Sequence, residues 1–154
     1  MDWIKTFATN PFLLTGLSSW AYAQIIKTVI YSIINRKLAL NRLFGDGGMP
    51  SGHSATVTSL AVLAALVCGP GSAECAIALI LAIVVCHDAT GVRRETEKQA
   101  HLLTEIAKHF ETLVEEPIPE IKLKLFVGHT PTQVAAGIIL GIVNAIVMYF
   151  WIYR

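Results

Sequence analysis

The chain has 154 residues, enough for one domain and too few for two of ordinary size. Hydrophobic residues make up 54% and charged residues only 15%, with mean hydropathy +0.58, whereas a soluble domain carries about 25% charged residues. This composition argues against a water-soluble fold, and a net charge of +1 gives no electrostatic footprint for a nucleic-acid partner.

Residues 1–10 hold Asp2 and Lys5 but no basic region followed by a short apolar core, so no removable signal peptide is expected. Apolar stretches near the ~20 residues that a helix needs to cross ~30 Å of hydrocarbon then follow at about 11–34, 52–68, 72–87 and 130–153. The first is succeeded by a polar segment, 35–51, with Arg36, Lys37, Arg42 and the run Gly45-Asp46-Gly47-Gly48. Gly69-Pro70-Gly71 between the second and third is a turn signal and predicts a helical hairpin. A second polar segment, 89–128, contains a predicted helix at about 95–116 that ends before Pro117 and Pro119. Its Leu102, Leu103, Ile106, Phe110 and Leu113 recur at three- and four-residue spacing, the stripe of a helix lying on a membrane surface or over the bundle. The fourth stretch opens with Thr130-Pro131-Thr132-Gln133, a capping-box pattern with Pro at the first helical position, and closes on an aromatic belt of Tyr149, Trp151 and Tyr153. Cys68, Cys75 and Cys86 lack metal-ligand spacing and read as small buried side chains. The expected architecture is an all-α integral membrane protein, one domain of about four transmembrane helices with a cytoplasmic amphipathic helix.

Topology follows from counting cations. Arg36, Lys37, Arg42, Arg93, Arg94, Lys98, Lys108, Lys122 and Lys124, nine of the twelve Lys and Arg, fall in the two polar segments, which the positive-inside rule places in the cytoplasm. The ends of the first and third spans and the starts of the second and fourth then share one face. There Pro50-Ser51-Gly52-His53-Ser54, His87-Asp88 and Gly128-His129-Thr130 converge. Two helix N-termini at that face would aim backbone N–H groups and positive dipole ends at a common point, a natural seat for phosphate. Of two histidines so placed, one imidazole could attack phosphorus and the other, protonated, could hand a proton to the departing alcohol. Lys27, Arg36, Arg93 and Arg94 are candidates to neutralise the phosphoryl oxygens. Lys27 is informative because a cation about two turns inside a span costs ~2.5–3.5 kcal/mol on insertion scales.

The run Gly48-Met49-Pro50-Ser51-Gly52-His53-Ser54, together with Gly128-His129-Thr130-Pro131-Thr132-Gln133, resembles the signatures of the type 2 phosphatidic acid phosphatase superfamily. That group includes bacterial lipid phosphatases and the vanadium-dependent haloperoxidases; its signatures are K-x6-R-P, P-S-G-H and S-R-x5-H-x3-D. The small size, the segment Asp88-Ala89-Thr90-Gly91-Val92-Arg93-Arg94 and the Gly-His-Thr-Pro sequence resemble its divergent branch, over about residues 27–137. The resemblance implies that Ser51 and Gly52 bind phosphate, that His53 is the general acid and that His129 is the nucleophile. Gln133 stands where an aspartate would orient that nucleophile, and Leu123 where an arginine is expected. Arg36 lies nine residues after Lys27, with no proline behind it; Arg93 or Arg94, with Asp88, is a candidate to supply what is missing.

The implied activity is hydrolysis of phosphatidylglycerol phosphate, phosphatidate or an isoprenoid phosphate at the cytoplasmic face of a bacterial membrane, through a phosphohistidine. The alternative is a noncatalytic membrane interaction or lipid-binding protein with an eroded phosphate site. The mechanism requires no cofactor, although Asp88 could help bind Mg²⁺. His101, Glu105 and His109, spaced by four residues, could bind zinc, with a solvated helical face as the competing reading. The Asp88, Arg93 and Arg94 trio could equally be an interfacial ion pair with ordinary cationic anchoring. A bundle this small could form a homodimer to cover its polar site.

Overall fold

The computed structural model describes residues 2–37, 47–114 and 128–154, the side chains of 92, 93, 97, 108 and 111–114 excepted. Arg42, Asp46, Lys122, Leu123 and Lys124 therefore lie outside the described residues, as does the Arg93 side chain. Among the described residues every regular element is helical: α1 (Asp2–Ala8), α2 (Pro11–Asn35), α3 (Gly52–Val67), α4 (Ala73–Thr90), α5 (Val92–Val114) and α6 (Pro131–Tyr153).

Local sequence accounts for most of the boundaries. Asn10 caps α2, its side-chain oxygen accepting from the Phe12 and Leu13 amides at 2.9 and 3.2 Å, with Pro11 at the first helical position. The α3–α4 turn uses Gly69 at φ 89°, and Ser72 caps α4 by accepting from Cys75 N–H at 3.2 Å. Thr130 and Gln133 close a capping box on α6. Two elements depart from expectation. The seven-residue α1 was not anticipated, being too short to show periodicity, and it buries no residue. The third apolar stretch, expected to end at residue 87, continues as helix to Thr90, because the Gly91 amide donates to the His87 carbonyl at 2.8 Å and the ladder runs on past His87-Asp88. α5 follows almost without interruption.

At the centre, α3 packs against α2, α4 and α6. Its contact with α6 is backbone on backbone: a Cβ placed on Gly137 would lie 2.5 Å from the Ser51 carbonyl oxygen, and one on Gly141 would lie 2.5 Å from that of Ala55. Small residues four apart are the way helices approach closely where no hydrophobic force separates them from their solvent. Polar groups fasten α2 to the same crossing. The buried Asn144 amide donates to the Thr15 carbonyl at 3.0 Å and to Ser18 Oγ at 3.1 Å, and Ser19 Oγ donates to the Ala55 carbonyl at 3.0 Å. The apolar contact of α3 with α4 is made by Val57, Ala61 and Ala82, with Ala78, Val85 and Cys86 around them.

The large apolar side chains point outward: Ile77, Ile80 and Ile83 of α4 and Ile139, Val143 and Val147 of α6 are all exposed. Ala73–Ala107, which joins α4 to the first part of α5, and α6 are long and apolar enough to cross a membrane. Only 18% and 22% of their apolar windows are buried within the molecule, so they are not core helices of a water-soluble fold. At 16 residues, α3 is the short apolar helix of the set, about 24 Å long at 1.5 Å per residue. α5 has one apolar face, with Leu102, Leu103, Ile106 and Phe110 exposed along it.

Candidate functional site

The site is assembled where α3 and α6 begin and α4 ends. The Ser51 amide donates to the Gln133 carbonyl at 3.0 Å, and the His129 amide donates to the Ala89 carbonyl at 3.1 Å. These two backbone bonds lock the Pro50-Ser51-Gly52-His53 turn to the first turn of α6 and the His129 loop to the last turn of α4.

Ser51 is fully buried and caps α3, its Oγ accepting from the Ser54 amide at 3.3 Å and from Ser54 Oγ at 3.0 Å. Gly52 and His53 are the first two residues of α3, where helix geometry leaves amides without an intrahelical acceptor. A Cβ on Gly52 would come within 3.4 Å of Trp20 Cδ1, so the α3 N-terminus lies against α2. The start of α6 is different. Its capping box engages the Thr130 and Gln133 amides, and Pro131 has no N–H, so this end contributes a dipole but few donors. Of the two helix N-termini expected to seat phosphate, α3 keeps the larger share of backbone donors.

The histidines meet there. The ring centroids of His53 and His129 are 6.4 Å apart and their planes are inclined at 60°. At this centroid separation the two rings are close enough to contact one small group between them. His129 is buried at 4% exposure, while His53 is exposed. Gln133 Oε1 lies 3.1 Å from His129 Nδ1 and accepts the Thr130 backbone N–H at 3.1 Å. A backbone amide can only donate, so the atom it meets is the amide oxygen, and His129 Nδ1 facing that oxygen must carry its proton. In the neutral ring Nε2 then holds the lone pair.

Lys27 is buried, and its stem passes the loop ahead of α3: a Cβ on Gly48, at φ 85°, would lie 3.0 Å from Lys27 Cγ and 3.2 Å from Cδ. Asp88 is half-buried in the last turn of α4, one residue before the carbonyl that holds His129. The half-buried Arg94 stands in the first turn of α5, and Arg36 is exposed at the C-terminal cap of α2 with φ 49°. The structure thus brings Ser51, Gly52, His53, His129 and Gln133 together, with Lys27 alongside through Gly48, while Arg36 caps the far end of its own helix. Sequence reading missed Ser54, Gly48 and the Ala89 carbonyl. The hydroxyl of Ser54 was legible in the run after Pro50; a backbone carbonyl leaves no trace in a sequence. Among the described residues no three His, Cys, Asp or Glu side chains come together to hold a metal ion, and His101, Glu105 and His109 are exposed on α5.

Residues 8–144 match the family model described as the Divergent PAP2 family. The chain is 38% identical over 152 residues to a Bacillus subtilis (strain 168) protein named "Uncharacterized membrane protein YuiD", covering 93% of this chain and 96% of that one. No solved structure gives a significant match. With the family model spanning nearly all of the helical bundle, its two histidine turns included, the chain belongs to the Divergent PAP2 family.

Proposed function

We propose that this protein is a membrane phosphatase that hydrolyses a lipid phosphate through a phosphohistidine on His129. The observation that carries the reading is the pair of imidazoles 6.4 Å apart, one with its Nδ1 proton directed at Gln133, so that its Nε2 carries the lone pair. His129 Nε2 attacks phosphorus and the bond to the lipid oxygen breaks. His53, protonated, gives its proton to that oxygen, so the lipid leaves as an alcohol. Neutral His53 then takes a proton from water as the water oxygen attacks phosphorus; the N–P bond breaks, inorganic phosphate leaves and both imidazoles return to their starting states. The amides at the start of α3, the Lys27 cation and Arg93 and Arg94 at the start of α5 hold the phosphoryl oxygens. Asp88 supports this cationic side, and Mg²⁺ beside it is an option the mechanism does not need.

The outward Ile, Leu and Val side chains and the membrane protein of Bacillus subtilis support a place in the membrane. On this reading α2, α3, α4 and α6 are the spans, and the cationic segments put the site at the cytoplasmic leaflet. Lipids made on that leaflet, phosphatidylglycerol phosphate above all, are then the favoured substrates. Gln133 also supports a second reading: with a neutral amide where a carboxylate is expected, the site could bind lipid phosphates without turning them over.

The test is phosphate release by the purified protein from liposomes carrying phosphatidylglycerol phosphate, phosphatidate or an isoprenoid phosphate. Wild type releases phosphate from one of these, and His129→Ala and His53→Ala do not. Activity kept by both variants overturns the mechanism; wild-type inactivity on the whole panel, with vanadate still bound, favours the binding protein.

A further inference from the structure

His53 has a second environment. Besides facing His129, it lines an open groove of about 520 Å³ between α2 and α3, closed on one side by Val85 of α4. The α2 wall is a stripe on one helical face, from Phe12 through Gly16 and Leu17 to Trp20; the α3 wall runs from His53 through Thr56 to Leu60. Thr56 is the other polar side chain of this lining, and its hydroxyl donates to the Gly52 carbonyl at 2.9 Å, which leaves its methyl toward the Gly16 floor. With the Trp20 indole N–H beside Gly52, His53 is the polar group that the groove presents at this end.

α2 and α3 run in opposite directions, so Trp20 lies at the His53 end beside Gly52, and Phe12 lies toward Leu60. The eight residue steps of α2 from Phe12 to Trp20, at 1.5 Å each, make the groove about 12 Å long, close to the ~15 Å of one leaflet, half of a ~30 Å hydrocarbon core. A second apolar groove of about 400 Å³, lined by Ala61, Leu79, Ile138 and others of α3, α4 and α6, contains no residue of the site.

We propose that the groove between α2 and α3 seats one hydrocarbon chain of the lipid phosphate, with the chain's polar end at His53 and Gly16 leaving the floor open. The proposal rests on the lipid-phosphatase reading of the same site. It commits to a lipid chain because the lining is apolar along its length, ends at the imidazole that would protonate the leaving lipid oxygen, and matches the depth of a single leaflet. Gly16 is a specificity-determining position on this account: a large side chain there fills the floor and shortens the chain that fits.

Photo-crosslinking tests it without requiring turnover. The full chain is placed in liposomes containing phosphatidate with a diazirine at one chain end, or phosphatidylcholine with the same chain, and the labelled peptides are mapped by mass spectrometry. The phosphatidate probe is expected to label residues 12–20 and 56–60 in preference to the α3–α4–α6 groove, and the phosphatidylcholine probe to label them weakly. Gly16→Phe and Leu60→Trp should each lower phosphatidate labelling there roughly tenfold. Equal labelling by both probes, or phosphatidate labelling concentrated at Leu79 and Ile138, overturns the proposal. Labelling in the groove by a wild type that releases no phosphate keeps the chain site and defeats the phosphatase reading; phosphate release with labelling elsewhere does the reverse.

Discussion

Gln133 orients His129 with a neutral group: its amide oxygen sits 3.1 Å from Nδ1 in the place where the superfamily pattern has a carboxylate. The same oxygen closes the capping box of α6 by accepting the Thr130 amide. One atom therefore fixes both the helix start and the tautomer of His129. A carboxylate there would also stabilise the imidazolium-like charge that develops as Nε2 attacks; an amide gives the orientation and less of the charge stabilisation.

Separating these roles requires substitutions of equal length. Gln133→Glu keeps the cap and adds the charge, so it is expected to leave the melting temperature unchanged and to raise the rate of phosphate release. Gln133→Met removes the acceptor, and its rate should fall about 10–100-fold, the range for loss of an orienting partner. The lost cap costs about 1 kcal/mol, or roughly 2–4 °C at this chain length. Initial rates and thermal unfolding in one detergent decide the matter; a Gln133→Met enzyme as fast as wild type would show that the hydrogen bond is only a cap.

His53 is assigned to protonate the leaving oxygen, so its importance should depend on the leaving group. With an alkyl phosphate, His53→Ala should lose about 10²–10⁴-fold in kcat/KM. With an aryl phosphate whose phenolate leaves unprotonated, the formation of phosphohistidine should fall far less, and the phosphoenzyme should accumulate because its hydrolysis lacks a base. Acid-labile phosphate on His129, measured after rapid quench, reads this directly. Equal losses on both substrates would remove His53 from the acid role.

The α3–α6 crossing should tolerate no side chain. With Cβ positions 2.5 Å from backbone oxygens, Gly137→Ala and Gly141→Ala force the two helices apart, at about 1–3 kcal/mol each. Gly137 faces the Ser51 carbonyl, so its substitution should also displace the turn that carries His53. Both variants are expected to unfold at lower temperature, and Gly137→Ala to lose more activity than Gly141→Ala at a temperature where both are folded.

Lys27 should act on the phosphate rather than on the fold. Lys27→Met keeps most of the stem against Gly48 while removing the cation, so vanadate inhibition should weaken by more than any fall in unfolding temperature accounts for. Gly48→Ala is expected to do the converse, since it strains a residue at φ 85° and pushes on Lys27 Cγ. Vanadate inhibition constants alongside unfolding temperatures test both; Lys27→Met with wild-type vanadate affinity would take the lysine out of the phosphate site.

The amino-acid sequence by itself determined that the protein is helical, that its apolar helices begin near Pro11, Gly52, Ala73 and Pro131, and that two histidine turns belong to a phosphatase-related family. Those properties are local: caps, prolines, apolar run length and short motifs are each written within a few residues. Polarity misjudged the end of α4, because helical hydrogen bonding continues past charged residues wherever the backbone permits. Only the tertiary structure decided that Gln133 turns its oxygen to His129, that Ser51 is tied to α6 and Ala89 to His129, and that one apolar groove ends at His53. The tie of Ser51 to α6 depends on a helix crossing set by Gly137 and Gly141, between segments more than 80 residues apart, and no pattern along the chain encodes the distance between them.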